Sequence, residues 1–135
     1  MESKTKEQLA EWLAENVLGG TQSSGIWVFM FPHFKNQVGM RISNEYLPAI
    51  IYSPDGFFAV KNRIFTIGYQ FYRVWPIWDE QGEGLQVGIG EDYTTAKVYT
   101  GNYYYPKTGN DKEDLDNTKA EIEAFYNAVY EAMKP

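Results

Sequence analysis

The chain has no cysteine and one histidine among its 135 residues. The first absence excludes disulfide scaffolds, thiolate metal sites and thiol chemistry together. The second leaves His33 as the only side chain whose unperturbed titration falls near neutrality. No apolar run approaches the roughly 20 residues that a membrane-spanning helix needs. The opening residues, Met-Glu-Ser-Lys-Thr-Lys-Glu, lead into an amphipathic stretch with acids in it and not into the apolar core of a signal peptide. These features point to a cytoplasmic protein. Basic residues are also scarce: 12 Lys and Arg face 18 Asp and Glu, a net charge of −6. The imbalance is uneven, since residues 38–78 carry +2 whereas residues 79–135 hold five Lys against twelve acids, or −7. So acidic a half repels phosphate backbones, which argues against direct nucleic-acid binding and for a protein partner with a basic surface.

Aromatic residues are what the chain has in surplus. Four Trp, 11 Tyr and 8 Phe make up 17% of it, about twice the ordinary share. Hydrophobic residues at 44% and charged residues at 22% place the chain among globular proteins, and its length suits one domain, residues 1–135.

The N-terminal pattern is helical over about residues 5–18. Thr5 and Gln8 have capping-box spacing, Leu9, Trp12, Leu13 and Val17 form an apolar stripe, and Gly19-Gly20 supplies a stop. Thr21 to Gly25 reads as a polar, mobile linker. From Ile26 to Tyr105 the pattern predicts strands. Ile26 to Phe31 is apolar on both faces; Val38, Met40 and Ile42 alternate with small or polar residues. Ser53-Pro54-Asp55-Gly56 has the residue order of a type I turn between Ile50-Ile51-Tyr52 and Phe57 to Val60, which predicts a hairpin. Phe65, Ile67, Tyr69 and Phe71 alternate along the next strand, and Pro76 demands that it end, bend or lie at a sheet edge. Leu85, Val87 and Ile89 alternate with Gln86, Gly88 and Gly90, and Thr95 to Tyr105 supplies the last strand. Lys107 to Asp116 is an acidic connector, and Ile122, Phe125, Tyr126, Val129, Tyr130 and Met133 space a second helix over about 117–133. The expected fold is α+β: helix, an antiparallel meander of six or seven strands in a curved sheet, helix, with both helices on one sheet face.

No catalytic, cofactor or metal motif survives inspection, and none of the three is expected. His33, in Phe31-Pro32-His33-Phe34, lacks a local carboxylate and nucleophile, so a packed turn histidine outweighs a general base. Asp79, Glu80 and Glu83, or Glu91 and Asp92, lack the spacing of a calcium loop and read as solvated loop faces. The glycines at 82, 84, 88 and 90 follow acids and precede a strand, the wrong order for a phosphate loop, and turn or bulge positions suit them better. Ser23 and Ser24 lack the strand-to-helix elbow of a nucleophilic serine.

Two constellations remain. Arg73 shares the odd-numbered face of its strand with Phe71 and Trp75, where it is either a structural ion pair or a planar clamp for a carboxylate or phosphate. Tyr103-Tyr104-Tyr105 cannot all point one way, so at least one ring stands on the face away from the helices, beside Tyr72, Trp78 and their acidic neighbours. The leading reading is therefore a non-enzymatic, acidic interaction protein. Its docking surface comprises Tyr72, Trp78, Asp79, Glu80, Glu83, Glu91, Asp92, Tyr103, Tyr104 and Tyr105. Small acidic chaperones, immunity proteins and phage-type inhibitors share this profile by size and charge alone. The alternative is a small-ligand carrier with an aromatic-lined cavity between sheet and helix, its ligand held by Arg73, His33, Tyr69 and Trp75. A hydrolase using carboxylates alone, such as Asp79 or Glu91, ranks third. Strand edges and aromatic faces also leave a homodimer open.

Overall fold

The computed structural model describes residues 4–29, 41–91, 97–105 and 117–134. The chain divides into two compact units, Met1–Ile67 and Gly68–Pro135.

In the first unit, Thr5 caps helix α1 (Lys6–Asn16) through both halves of the capping box. The Gln8 amide donates to Thr5 Oγ1 at 3.1 Å and the Thr5 amide donates to Gln8 Oε1 at 2.9 Å. Leu9, Ala10, Leu13 and Ala14 bury the inner stripe, while Trp12 is only half-buried. The stretch expected to be a mobile linker is instead a strand, β1 (Thr21–Ser23), turning tightly into β2 (Ile26–Val28). Ser24 and Gly25 make the turn with φ of 52° and 78°, the left-handed pair whose twist suits a two-residue hairpin. β2 pairs on its other side with β3 (Arg41–Ser43), placing Trp27 opposite Ile42, both buried. The Trp27 indole N–H donates to Asn44 Oδ1 at 3.0 Å and its ring stacks on Phe29 at 6.4 Å.

The region between residues 47 and 66 corrects the sequence reading. A 3₁₀ turn, Asn44–Tyr46, leads into two helices, α2 (Leu47–Ile51) and α3 (Pro54–Thr66), where a hairpin and the start of a long strand were expected. The physical reason lies in Ser53-Pro54-Asp55-Gly56. Serine with proline after it and an acid in the next position also starts a helix: Ser53 Oγ accepts from the Gly56 amide at 3.2 Å, and Pro54 occupies the first helical position, where its missing N–H loses nothing. Ala59, Val60 and Ile64 then bury a helical stripe. The alternation read through Phe65, Ile67 and Tyr69 runs across the end of α3 and the bend at Gly68, so no single strand carries it.

The second unit is a meander with a helix laid on it. β4 (Phe71–Asp79), β5 (Gly82–Gly90) and β6 (Tyr99–Tyr104) pair antiparallel in that order, and α4 (Asn117–Met133) packs on β5 and β6. Among the described strands β4 lies at the edge of its sheet, one of the three outcomes that Pro76 allows. Among the described residues the fold is therefore α+β, with four helices and two three-stranded antiparallel sheets where one long meander was expected. The two terminal helices fall in different units: α1 packs with α2, and α4 covers the second sheet. The expectations placed on Met30 to Met40, Asp92 to Ala96 and Lys107 to Asp116 lie outside the described residues. Among the described residues no helix is long and apolar enough to cross a membrane.

Candidate functional site

Strand register sorts the side chains of the second unit into two faces. Val74 stands opposite Val87, and Val87 opposite Gly101. Gly101 marks the face that α4 covers, because a Cβ there would overlap the Ala124 carbonyl oxygen and the Ala128 nitrogen of the helix. Two small residues one helical turn apart thus seat α4 directly on the backbone of β6. Tyr72, Leu85, Val87, Ile89, Tyr99 and Tyr103 share this face by the same register. Tyr72, expected at the docking surface, is turned under α4. Its hydroxyl donates to Glu121 Oε2 at 2.5 Å and its ring meets Phe125 edge-on at 5.6 Å. Burial raises its pKa, and the hydrogen bond to Glu121 and that residue's charge raise it further.

The β4–β5 hairpin end gathers most of the other expected residues. Trp78 is 80% exposed and stands opposite Glu83 across the ladder. Glu80 and Gln81 form the turn, which Asp79 locks by accepting the Gln81 amide at Oδ1, 2.8 Å. Tyr105 continues the pairing, its amide donating to the Glu83 carbonyl at 2.8 Å, and its ring meets Tyr103 edge-on at 6.1 Å. Pro76, Ile77, Trp78, Glu83, Gly84 and Tyr105 enclose a shallow cleft of about 340 Å³. Burial raises the Tyr105 pKa, with a further contribution from the charge of Glu83. No Lys or Arg occurs between Arg73 and Lys97, so the hairpin end meets solvent as carboxylates around one large ring.

On the opposite face a row of hydrogen bonds crosses the sheet. Gln86 Nε2 donates to Asn102 Oδ1 at 2.7 Å, Asn102 Nδ2 donates to the Tyr104 hydroxyl at 3.3 Å, and that hydroxyl donates to Asp79 Oδ2 at 2.7 Å. Tyr104 is thereby fixed to the hairpin end, and its bond to Asp79 is the main cause of its raised pKa.

Not every expected residue joins this group. Glu91 follows the far end of β5, so Asp79 and Glu91, the carboxylates named for a hydrolase, stand at opposite ends of the hairpin. Asp92 and His33 lie outside the described residues. Of the residues named for a carrier, Arg73 and Trp75 share the face opposite α4, whereas Tyr69 stands edge-on to Tyr99 at 6.5 Å and its hydroxyl donates to the Ala132 carbonyl at 3.5 Å. The groove beside Arg73 and Trp75, about 630 Å³, is also lined by Phe71, Val74, Val98 and Thr100. Sequence reasoning placed Phe71 beside Arg73 and Trp75 but missed Val98 and Thr100 as neighbours. The available signal was β5, whose glycines at 84, 88 and 90 all fall on the face opposite to Leu85, Val87 and Ile89. Among the described residues no three His, Asp or Glu side chains converge as metal ligands. Comparison with family models, curated proteins and solved structures finds no match.

Proposed function

We propose that the protein is a non-enzymatic docking module that captures a partner through basic side chains, with the β4–β5 hairpin end as its contact surface. The observation that carries this reading is Trp78, 80% exposed at the tip of a regular hairpin and bordered by Asp79, Glu80 and Glu83. Leaving an indole in water sacrifices roughly 1.5–3 kcal/mol of burial, and tryptophan is the residue type most enriched where binding energy concentrates. The surrounding carboxylates define the partner's sign. An arginine or lysine entering the cleft meets the Trp78 ring face and the Glu83 carboxylate together, a cation–π contact reinforced by an ion pair. The hydrogen bonds through Asp79 and Tyr104 hold the hairpin end in shape before binding, which lowers the ordering cost of association.

The test compares wild type with Trp78→Ala and with the double variant Glu80→Lys/Glu83→Lys as baits in host extract. Asp79 is left alone because it braces the turn. The expected result is one basic protein enriched by wild type, released by salt, and lost from both variants, with purified components showing at least about thirtyfold weaker binding for Trp78→Ala. Equal capture by all three baits, or enrichment of an acidic partner, refutes the proposal.

A further inference from the structure

We infer that the face of the second sheet opposite α4 holds a separate binding site, for a small flat ring bearing an oxyanion, with Arg73 as the anion's partner. The site follows from glycine in the middle strand. Phe71 stands opposite Gly90, and Arg73 opposite Gly88, which in turn stands opposite Thr100. Over these two successive rows the central strand offers no side chain, so the residues of β4 and β6 rise on either side of bare backbone. A Cβ at Gly88 would stand 2.9 Å from Trp75 Cη2 and 3.0 Å from Val98 Cγ1, which shows that the indole leans across the sheet onto that glycine. The resulting groove has the rings of Phe71 and Trp75 and the Val98 side chain as apolar walls, with Arg73 and Thr100 as its polar side chains. Its volume of about 630 Å³ lies inside the usual span for small-molecule sites, roughly 300–1,000 Å³.

Charge specifies the ligand. Arg73 stands opposite Gly88, which has no side chain to pair with it, and among the described residues no hydrogen bond or ion pair occupies the Arg73 side chain. Among the described residues the groove is lined by one cation and no carboxylate, in a unit whose six Lys and Arg are outnumbered by twelve Asp and Glu. An exposed, planar donor fork between aromatic walls complements a ligand whose ring stacks on them while its oxyanion takes two parallel N–H bonds. A carboxylate and a phosphate ester both meet this description.

Calorimetric titration of the full-length protein with naphthalene-2-carboxylate, 2-naphthyl phosphate and the neutral naphthalene-2-carboxamide tests the site. At least one oxyanion is expected to bind with Kd of about 1 mM or tighter, and the amide about tenfold more weakly. The stronger of the two acids identifies the headgroup. Arg73→Gln, at an exposed position, is expected to keep the circular dichroism of wild type and to erase the preference for the acid over the amide. Absence of binding by all three compounds, an amide as tight as the acids, or a preference that persists in Arg73→Gln overturns the inference.

Discussion

Replacing Gly101 by alanine tests the placement of α4 on the sheet. The added methyl group meets the Ala124 carbonyl oxygen, the Ala128 nitrogen and the Asn127 carbonyl carbon, all backbone atoms of a regular helix. No rotamer change relieves such a contact, so α4 must lift or β6 must sink by about an ångström. Overpacking of this kind costs about 1–3 kcal/mol, and lifting the helix also loosens the interlayer packing of Val87, Ile89 and Phe125, all fully buried. An effect of about 3 kcal/mol is therefore expected, a large fraction of what a unit of this size can hold. Gly88→Ala is the matched control. The atoms nearest its methyl group belong to the Trp75 and Val98 side chains, at 2.9 Å and 3.0 Å, and Val98 is exposed. Its cost is expected to stay below about 1 kcal/mol, since swinging those side chains is partly offset by the loss of glycine's extra freedom in the unfolded chain. Urea unfolding of the full-length variants measures both values. Amide exchange locates the effect: Gly101→Ala should accelerate exchange in α4 and β6 and leave α1 protected as in wild type. A Gly101→Ala protein within about 0.5 kcal/mol of wild type refutes the backbone-to-backbone seating of α4.

Two further outcomes follow from the hydrogen bonds. Because the folded state favours the neutral Tyr72 phenol, its contribution is complete below about pH 10 and drains away as pH rises past that point. Tyr72→Phe should remove up to about 1.4 kcal/mol per pH unit of alkaline destabilisation, less after solvent screening of a partly open group, and parallel wild-type and variant stability curves between about pH 8 and pH 11 count against this. Ser53→Ala deletes both the cap to the Gly56 amide and the bond donated to the Ile50 carbonyl at 2.6 Å. It should cost about 1–2 kcal/mol in urea unfolding and speed amide exchange at the start of α3; unchanged exchange there contradicts the capping role.

Where one signal had one meaning, the sequence was legible. Thr5 and Gln8 announce α1 because their reciprocal cap has no strand counterpart. α4 follows from apolar spacing sustained across Asn117–Met133, and β5 from strict alternation at Leu85, Val87 and Ile89. The failure at residues 47–66 came from chemistry shared by two structures. Serine, proline, aspartate and glycine in that order serve a type I turn or a helix start, and the β-favouring Phe57, Phe58, Val60 and Ile64 tipped the choice the wrong way. The hairpin end was readable in outline because Trp78 and its acids are adjacent in sequence. Tyr72 was misplaced because exposure depends on what lies above a sheet face, and α4 returns to β5 and β6 from far along the chain.

The two proposed sites also differ in sign, and the strand that connects them keeps them apart. Arg73 and Asp79 are six residues distant on β4, about 20 Å at the rise of an extended strand. That exceeds twice the screening length of about 8 Å at physiological ionic strength. The acids of the hairpin end therefore do little to attract or repel an anion at Arg73, and the guanidinium does little to blunt the docking of a basic partner. Binding at the two sites should be additive: Glu80→Lys/Glu83→Lys should leave naphthyl-acid affinity within about twofold of wild type, and Arg73→Gln should leave partner capture intact. Strong coupling would mean that the sheet transmits a change of shape, because charge alone does not span the gap.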